Sequence, residues 1–319
     1  MLISAVVCTY NRCESLRDTM RALQEQAVSE GDALEILVVN NNSTDRTKEV
    51  VEEEARHARW PIRYLFESQQ GKSHALNQAI REASGEFLVF TDDDVIPDPK
   101  WAKTLWQTAE EFHADAVGGP IFPIWIRRPP SWLLSDVLRK YLWSVLALLD
   151  RGPEVIVAKP SEVLFMGANM ALRKAVFSRI GLFRTDLGRV GSNLLAGEET
   201  ELLERLLKGG NGRAVYTPQA IVHHKVGPER MRMSYVRRWR FSIGRTLTRM
   251  TPPEKRRVPR WFVRECLETG CRALMAYARG NRILGIQQES VFWTQLGHVV
   301  EGGVTWRAHA PGRREPAHA

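Results

Sequence analysis

The chain has 319 residues, 44% of them hydrophobic, with 45 Lys and Arg against 37 Asp and Glu for a formal net charge of +8. That size supports a substantial core, as one large domain or one domain with an appendage, while no apolar run reaches the roughly 18 residues of a membrane-spanning helix. Cys8, Cys13, Cys266 and Cys271 show no metal-type spacing and read as reduced thiols of a cytoplasmic protein. MLISAVVCTYNR lacks a basic leader and reads as a first strand, not a signal peptide.

Leu2 to Cys8 is that strand, and TYNR is the loop before a helix from Glu14 to Gln26 with Leu16, Met20 and Leu23 on one face. Glu35 to Val39 predicts a second buried strand, running through NNNSTD into a helix over Arg46 to Arg56. Ile62 to Phe66 is a third strand, followed by QQGKSHALNQAI, a glycine turn and a helix. Phe87 to Phe90 is a fourth, bounded by Gly85 and Pro97. This alternation with short loops predicts an α/β fold with a doubly wound, mostly parallel sheet flanked by helices. Beyond Lys100 come a helix, a strand at Ala116 to Ile121, and an apolar stripe from Trp132 to Leu149 at helical spacing. That stripe suits core packing or an interfacial membrane helix. Val163 to Met166 and GANMALRK return the chain to the sheet, and GEETELLERLLKGG predicts a helix ended by glycines. Val215 to His224 is extended, broken by Pro218, and a helical extension follows with Val236, Trp239, Ile243, Leu247 and Met250 in register. From Gly302 the tail reads as disordered.

The fourth strand ends in Asp92, Asp93 and Asp94, at the sheet edge where open α/β folds bind ligands. Three adjacent carboxylates repel, and a divalent cation such as Mg²⁺ or Mn²⁺ would hold them together. A solvated acidic turn or a helix N-terminus is the plainer alternative. The positive charge is also local. Between residues 225 and 264 thirteen Lys or Arg face two Glu, a net of +11, leaving −3 elsewhere. Such a segment suits an anionic membrane surface or a solvated basic face better than nucleic acid.

VVCTYNR, VVNNNSTDRT, GKSHALN and FTDDDV follow the four strands in order, and GANMALRK, GEETELLERL and VHHK come after them. Together they resemble the nucleotide-sugar glycosyltransferases of family 2, with the GT-A fold, over roughly residues 2–225. The resemblance implies a GT-A domain over 1–225, its nucleotide half at about 1–122 and its acceptor half at about 123–225. A basic helical extension would occupy 226–301 and a tail 302–319. It implies that Thr9, Tyr10, Asn11 and Arg12 line the base pocket with Asn40 or Asn42 beside it. Lys72 would approach the diphosphate, and Asn77 would shape the nucleotide site. Asn40 stands where the family often has Asp, so an amide replaces the carboxylate contact to the uracil N–H; uridine stays the first expectation, and guanosine and thymidine are open. Asp92 and Asp94 fill the outer positions of the D-x-D element. Asp94 would hold Mg²⁺ or Mn²⁺, and Asp92 the ribose or the metal. Asp93, on the other side of an extended chain, reads as structural at the edge of the nucleotide-sugar site. His224, in preference to His223, would complete the metal site. The family's direct, inverting displacement needs a general base, and an acidic pair heads a helix at that point, here Glu198 and Glu199. Glu199 is the candidate, with Glu198 the alternative.

The implied activity is metal-assisted transfer of a sugar, from a UDP-sugar in the first instance, to a hydroxyl on an envelope glycan or lipid-linked saccharide. The implied place is the cytoplasm, peripheral on the cytoplasmic face of the membrane where the basic segment touches it. The loop from Phe183 to Leu195 is a candidate cover for bound donor. A non-catalytic nucleotide-sugar-binding protein would keep the aspartates without a base. A sugar-phosphate nucleotidyltransferase would carry a glycine-rich basic loop after the first strand, which TYNRCES is not.

Overall fold

A computed structural model describes residues 1–159, 162, 164–191, 193–209 and 212–308. In chain order the first elements are β1 (Leu2–Thr9), α1 (Cys13–Gln24), β2 (Ala33–Asn40), α2 (Thr47–Ala55), β3 (Ile62–Phe66), α3 (Lys72–Glu82), β4 (Phe87–Asp92), β5 (Val95–Pro97) and α4 (Trp101–Glu111). Then come β6 (Ala116–Gly118), β7 (Ile121–Trp125), α5 (Asp136–Leu142), β8 (Ile156–Val157), β9 (Asn169–Arg173), α6 (Ala175–Ile180), α7 (Glu198–Lys208), β10 (Ala214–Tyr216) and β11 (Val222–Val226). Three helices close the described chain: α8 (Met233–Met250), α9 (Arg260–Ala278) and α10 (Arg282–Ala308).

The chain divides into two units. The first takes in Met1–Pro129, Trp143–Ser192 and Glu198–Arg230. Its large sheet has the order β3-β2-β1-β4-β9-β6-β10-β8. The β3–β2–β1–β4 block is parallel throughout, and β9 runs antiparallel between β4 and β6. Every residue of β2 from Leu34 to Asn40 is buried, and its apolar run Ile36–Val39 is the pattern of a strand covered on both faces. On the helices the apolar residues instead recur at helical spacing. α1 turns Leu16, Thr19, Met20 and Leu23 to the core.

A second sheet, β5-β11-β7, lies in the same unit. β11 runs antiparallel to β5, pairing His224 with Val95, and parallel to β7. The stretch expected as one strand from Ala116 to Ile121 is therefore two strands in two sheets, separated at Gly119–Pro120.

The other unit comprises Pro130–Leu142, Asn193–Gly197 and the chain from Met231. Here α8, α9 and α10 pack together, and Gly244 and Gly297 let α8 and α10 approach so closely that a Cβ at Gly244 would lie 2.0 Å from the Thr294 carbonyl oxygen. The apolar stripe from Trp132 to Leu149 is not one helix. Ser135 is extended after a short 3-10 turn, α5 ends at Leu142, and Ala147 takes a left-handed conformation. Leu138 and Leu142 are buried, Leu134 and Val137 are exposed, and Leu149 bridges to Ile121 of the first unit's β7, within that unit. Periodicity alone cannot separate one long helix from short pieces that serve different cores. The C-terminal tail also begins later than expected, since α10 includes residues 302–308; residues 309–319 and Val163 lie outside the described residues.

Candidate active site

Strand register brings the first site residues into line. Thr9 pairs with Asn40 across β1 and β2, and Cys8 pairs with Asp92 across β1 and β4, so three parallel strands end together. β4 stops at Asp92, and the chain turns through Asp93 and Asp94 into β5. Register on β5 and β11 then delivers His224 beside that turn.

Each aspartate meets a cation. Lys72 Nζ donates to Asp92 Oδ1 at 2.6 Å. Arg12 Nη1 reaches Asp94 Oδ2 at 2.6 Å and Asp93 Oδ1 at 3.2 Å, while the Thr9 hydroxyl donates to Asp93 Oδ2 at 2.8 Å. Arg230 Nη2 donates to Asp94 Oδ2 at 2.8 Å, and its Nη1 stands 2.9 Å from His224 Nε2. Guanidinium has no acceptor, so His224 Nε2 accepts from Arg230 and gives its lone pair to that contact. Burial opposes ionisation of Asp94, but Arg230 outweighs it and holds the carboxyl well below the ordinary range. Burial likewise acts against Asp92, and Lys72 overrides it. At Asp93 burial wins despite Arg12, and the carboxyl is pushed up to about 6.

The head of α7 supplies the other wall. Gly197, with φ of +103°, turns the chain into the helix, and Glu198 and Glu199 occupy its first turn as expected. Glu198 Oε1 lies 3.9 Å from Lys72 Nζ, so this lysine stands between Asp92 and the acidic pair. Glu198 Oε2 is buried and has no hydrogen-bond partner. Burial, then the neighbouring Glu198, push Glu199 up to about 8. Burial opposes the charge on Lys72, but Asp92 and Glu198 overcome it and raise its pKa.

The family model described as "Glycosyl transferase family 2" matches residues 4–181. The chain belongs to this family. Among its relatives, the glucosyl-dolichyl phosphate glucuronosyltransferase of Haloferax volcanii is 27% identical over 232 residues, 71% of this chain and 70% of that protein. The succinoglycan biosynthesis protein ExoM of Rhizobium meliloti is 28% identical over 245 residues, 76% of this chain and 73% of its own. The mannosyltransferase PcManGT from Pyrobaculum calidifontis, solved with GDP-Man and Mn²⁺, superposes with a TM-score of 0.56 at 20% identity, over 98% of this chain and 76% of that one. Residues 1–349 of TarS from S. aureus, solved with UDP, give 0.50 at 17% identity over 99% and 94%. The fold is GT-A, and the chain is a glycosyltransferase.

Against the resemblance-based assignments, this family 2 chain arranges several residues differently. Arg12 points to Asp93 and Asp94 instead of a base pocket. Asn40 Nδ2 donates to the Tyr64 hydroxyl at 2.9 Å and its Oδ1 accepts from Ser43 N–H at 2.8 Å, leaving one donor and one acceptor valence on the amide. Asn11 Oδ1 accepts from Thr44 N–H at 2.7 Å, while Tyr10 and Asn42 are exposed. Lys72 is the first residue of α3, and its N–H is already taken by the Arg189 carbonyl at 2.9 Å. Asn77 clamps the Phe183 backbone in both directions at 2.9 Å, and Ser73 donates to the Leu187 carbonyl at 3.0 Å. Residues 183–189 are thus tied to α3; Ser192 of the same loop lies outside the described residues.

The metal ligands expected from the sequence are only partly assembled. Asp94 Oδ1 is buried without a hydrogen bond and lies 3.3 Å from His224 Nε2; the two would serve Mg²⁺ or Mn²⁺ once Arg230 Nη1 turns away from the imidazole it now engages. Asp92 turns instead to Lys72. Among the described residues no three His, Cys, Asp or Glu side chains stand close enough to hold a metal ion by themselves. The pair fits an ion whose remaining ligands are water and a diphosphate. A cleft of about 560 Å³ opens on this side, with Asn11, Arg12, Asp94 and Lys225 in its lining.

Two contributors escape the motif reading. Arg230 sits in the segment whose charge looked like a surface feature, and only the need of three carboxylates for counter-ions hinted at it. Asn41 accepts from Gly71 N–H at 2.7 Å and donates to the Gln69 carbonyl at 2.7 Å, fixing the turn that presents Lys72. Its place in a run of three asparagines gave no signal that distinguished it from its neighbours.

Proposed function

We propose that this family 2 glycosyltransferase is an inverting enzyme that moves a sugar from a nucleoside diphosphate sugar, UDP-linked by preference, to a hydroxyl of a lipid-linked or envelope glycan. The observation that carries the proposal is Lys72 between Asp92 and Glu198: donor-side and base-side carboxylates share one cation inside one unit. The relatives named for a dolichyl phosphate saccharide and for succinoglycan support the acceptor class. The remaining valences of Asn40 suit the two-sided edge of a pyrimidine.

In this reading Glu199 takes the proton from the acceptor hydroxyl as its oxygen attacks the anomeric carbon, and the nucleoside diphosphate leaves from the opposite face. Glu198 keeps Glu199 basic by repulsion, and Lys72 holds Glu198 and Asp92 in place. Asp94 and His224 would hold Mg²⁺ or Mn²⁺, which would offset the negative charge growing on the departing diphosphate. Arg12 and Arg230 position Asp94 for that role.

Thermal shift against UDP, GDP, TDP and CDP, with and without Mn²⁺, tests the donor. A Mn²⁺-dependent rise with UDP, absent in Asp94→Ala, is expected. Glu199→Gln is expected to keep that rise while turnover falls by about 10²–10⁴-fold, the usual worth of a positioned base. Absence of a shift with every nucleotide would overturn the donor site. Unimpaired turnover in Glu199→Gln would overturn the base.

A further inference from the structure

α9 packs the wrong way round for a helix of a water-soluble bundle. Its buried stripe is Cys266, Thr269, Ala273 and Ala276, small residues that lie toward α10, where the Tyr277 hydroxyl donates to Glu289 at 2.6 Å. Its large apolar residues face outward: Trp261, Leu267 and Leu274 are 66%, 63% and 71% exposed, and Met275 is 49% exposed. At 100° per residue, Leu267, Leu274 and Met275 fall opposite the buried stripe, with Arg260 and Arg264 at the N-terminal end of the same face. An apolar face of this kind on a soluble chain marks an interaction surface.

We propose that this outward face of α9 is an interfacial lipid-binding surface that seats the protein on an anionic bilayer. Charge selects the occupant. Between residues 254 and 282 eight Lys or Arg accompany three Glu, and although Arg264 pairs with Glu268 at 2.7 Å the excess leaves the apolar face rimmed by net positive charge. A helix with exposed Trp and Leu and arginines around them matches the headgroup boundary, where apolar side chains enter the acyl region and guanidinium groups meet lipid phosphates. The sequence had pointed to residues 225–264 and to Trp132–Leu149 for this contact. α8 is not that surface: Val236 and Trp239 are buried, and Arg237, Arg245 and Arg249 bind Glu289 and Glu301 of α10. The inference is independent of the donor site, and it places the enzyme where a lipid-linked acceptor would be found.

Co-sedimentation of the full chain with phosphatidylcholine vesicles, with and without phosphatidylglycerol, tests it. The wild type is expected to sediment with the phosphatidylglycerol vesicles at low salt and to be released by high salt. Leu267→Gln/Leu274→Gln and Arg260→Gln/Arg264→Gln, all at exposed positions, are each expected to weaken binding by about tenfold or more. The UDP–Mn²⁺ thermal shift is read on the same preparations, so loss of lipid binding with an intact shift separates this surface from the donor site. Wild type that stays in solution beside anionic vesicles overturns the proposal. So do double variants that bind like wild type, or light scattering that shows a dimer dissolved by the leucine changes, which would assign the face to a second copy.

Discussion

Glu199 illustrates how one residue's surroundings set its chemistry. Burial and Glu198 raise its carboxyl from the ordinary glutamate range to about 8. A base must be ionised to act, so turnover is expected to rise with pH up to about 8, by about tenfold per unit on the acid limb. A profile of kcat/KM between pH 5 and 9 checks this, and a flat profile would contradict it. Stability should move in the opposite sense. The folded carboxyl binds its proton up to about pH 8, whereas the unfolded one releases it near 4.5. The neutral group's contribution is therefore fully present below 4.5 and lost as pH rises through 8. Glu199→Gln is expected to match the wild-type Tm near pH 4 and exceed it at pH 8. At this scale the positions of Asp92 and Asp94 at a strand end and of Glu198 and Glu199 in a helix's first turn were legible, because acids there stand out in a sequence, whereas His224 was expected only from the family resemblance. Arg230 was not legible, since its partnership with Asp94 spans 136 residues and no local pattern encodes it.

Between elements, the tie from α3 to residues 183–189 decides how the loop proposed to cover the donor is held. Asn77 supplies both a donor and an acceptor to Phe183, and nothing else on α3 can replace that amide. Asn77→Ala leaves a buried N–H and a buried carbonyl unpaired, at a cost of about 2–3 kcal/mol. The expected result is a lower Tm and faster proteolytic cleavage within 183–189, with UDP binding weakened. Unchanged cleavage would show that the loop is held by other contacts. Gly188 belongs to the same arrangement: its φ is +85°, and a Cβ there would lie 2.9 Å from Ser73 Oγ. Elements built from local pattern were readable in advance, and β1 to β4 with their helices fall where apolar runs and turn residues put them. The β5-β11-β7 sheet was not, because three- to five-residue strands carry too little periodicity and their partners are distant in the chain. For the same reason the stripe from Trp132 to Leu149 was read as a single helix.

For the whole molecule, the distribution of charge is the feature that the sequence showed and the structure reinterprets. The net excess of +11 between residues 225 and 264 suggested one basic face. Five of its thirteen basic residues are instead paired with acids elsewhere in the chain. Lys225 pairs with Asp18 and Arg230 with Asp94 in the first unit. In the helical unit Arg237 meets Glu289, and Arg245 and Arg249 converge on Glu301 at 2.8 Å each. Glu301 is nearly buried, so its charge is stable only because two guanidiniums accompany it. Both arginines keep it ionised: burial acts to raise the Glu301 carboxyl, and the arginine hydrogen bonds pull it below the ordinary value. Glu301→Gln keeps the shape of the side chain but leaves two arginines facing a neutral amide between α8 and α10. A loss of about 1.5–3 kcal/mol is expected, the range for a hydrogen bond to a charged group. Because the donor residues all belong to the other unit, the same variant should bind UDP with unchanged affinity by calorimetry. A Glu301→Gln protein as stable as wild type in urea would mean that the α8–α10 pairing rests on its glycine contacts, and that the basic segment's charge is dispensable to the fold.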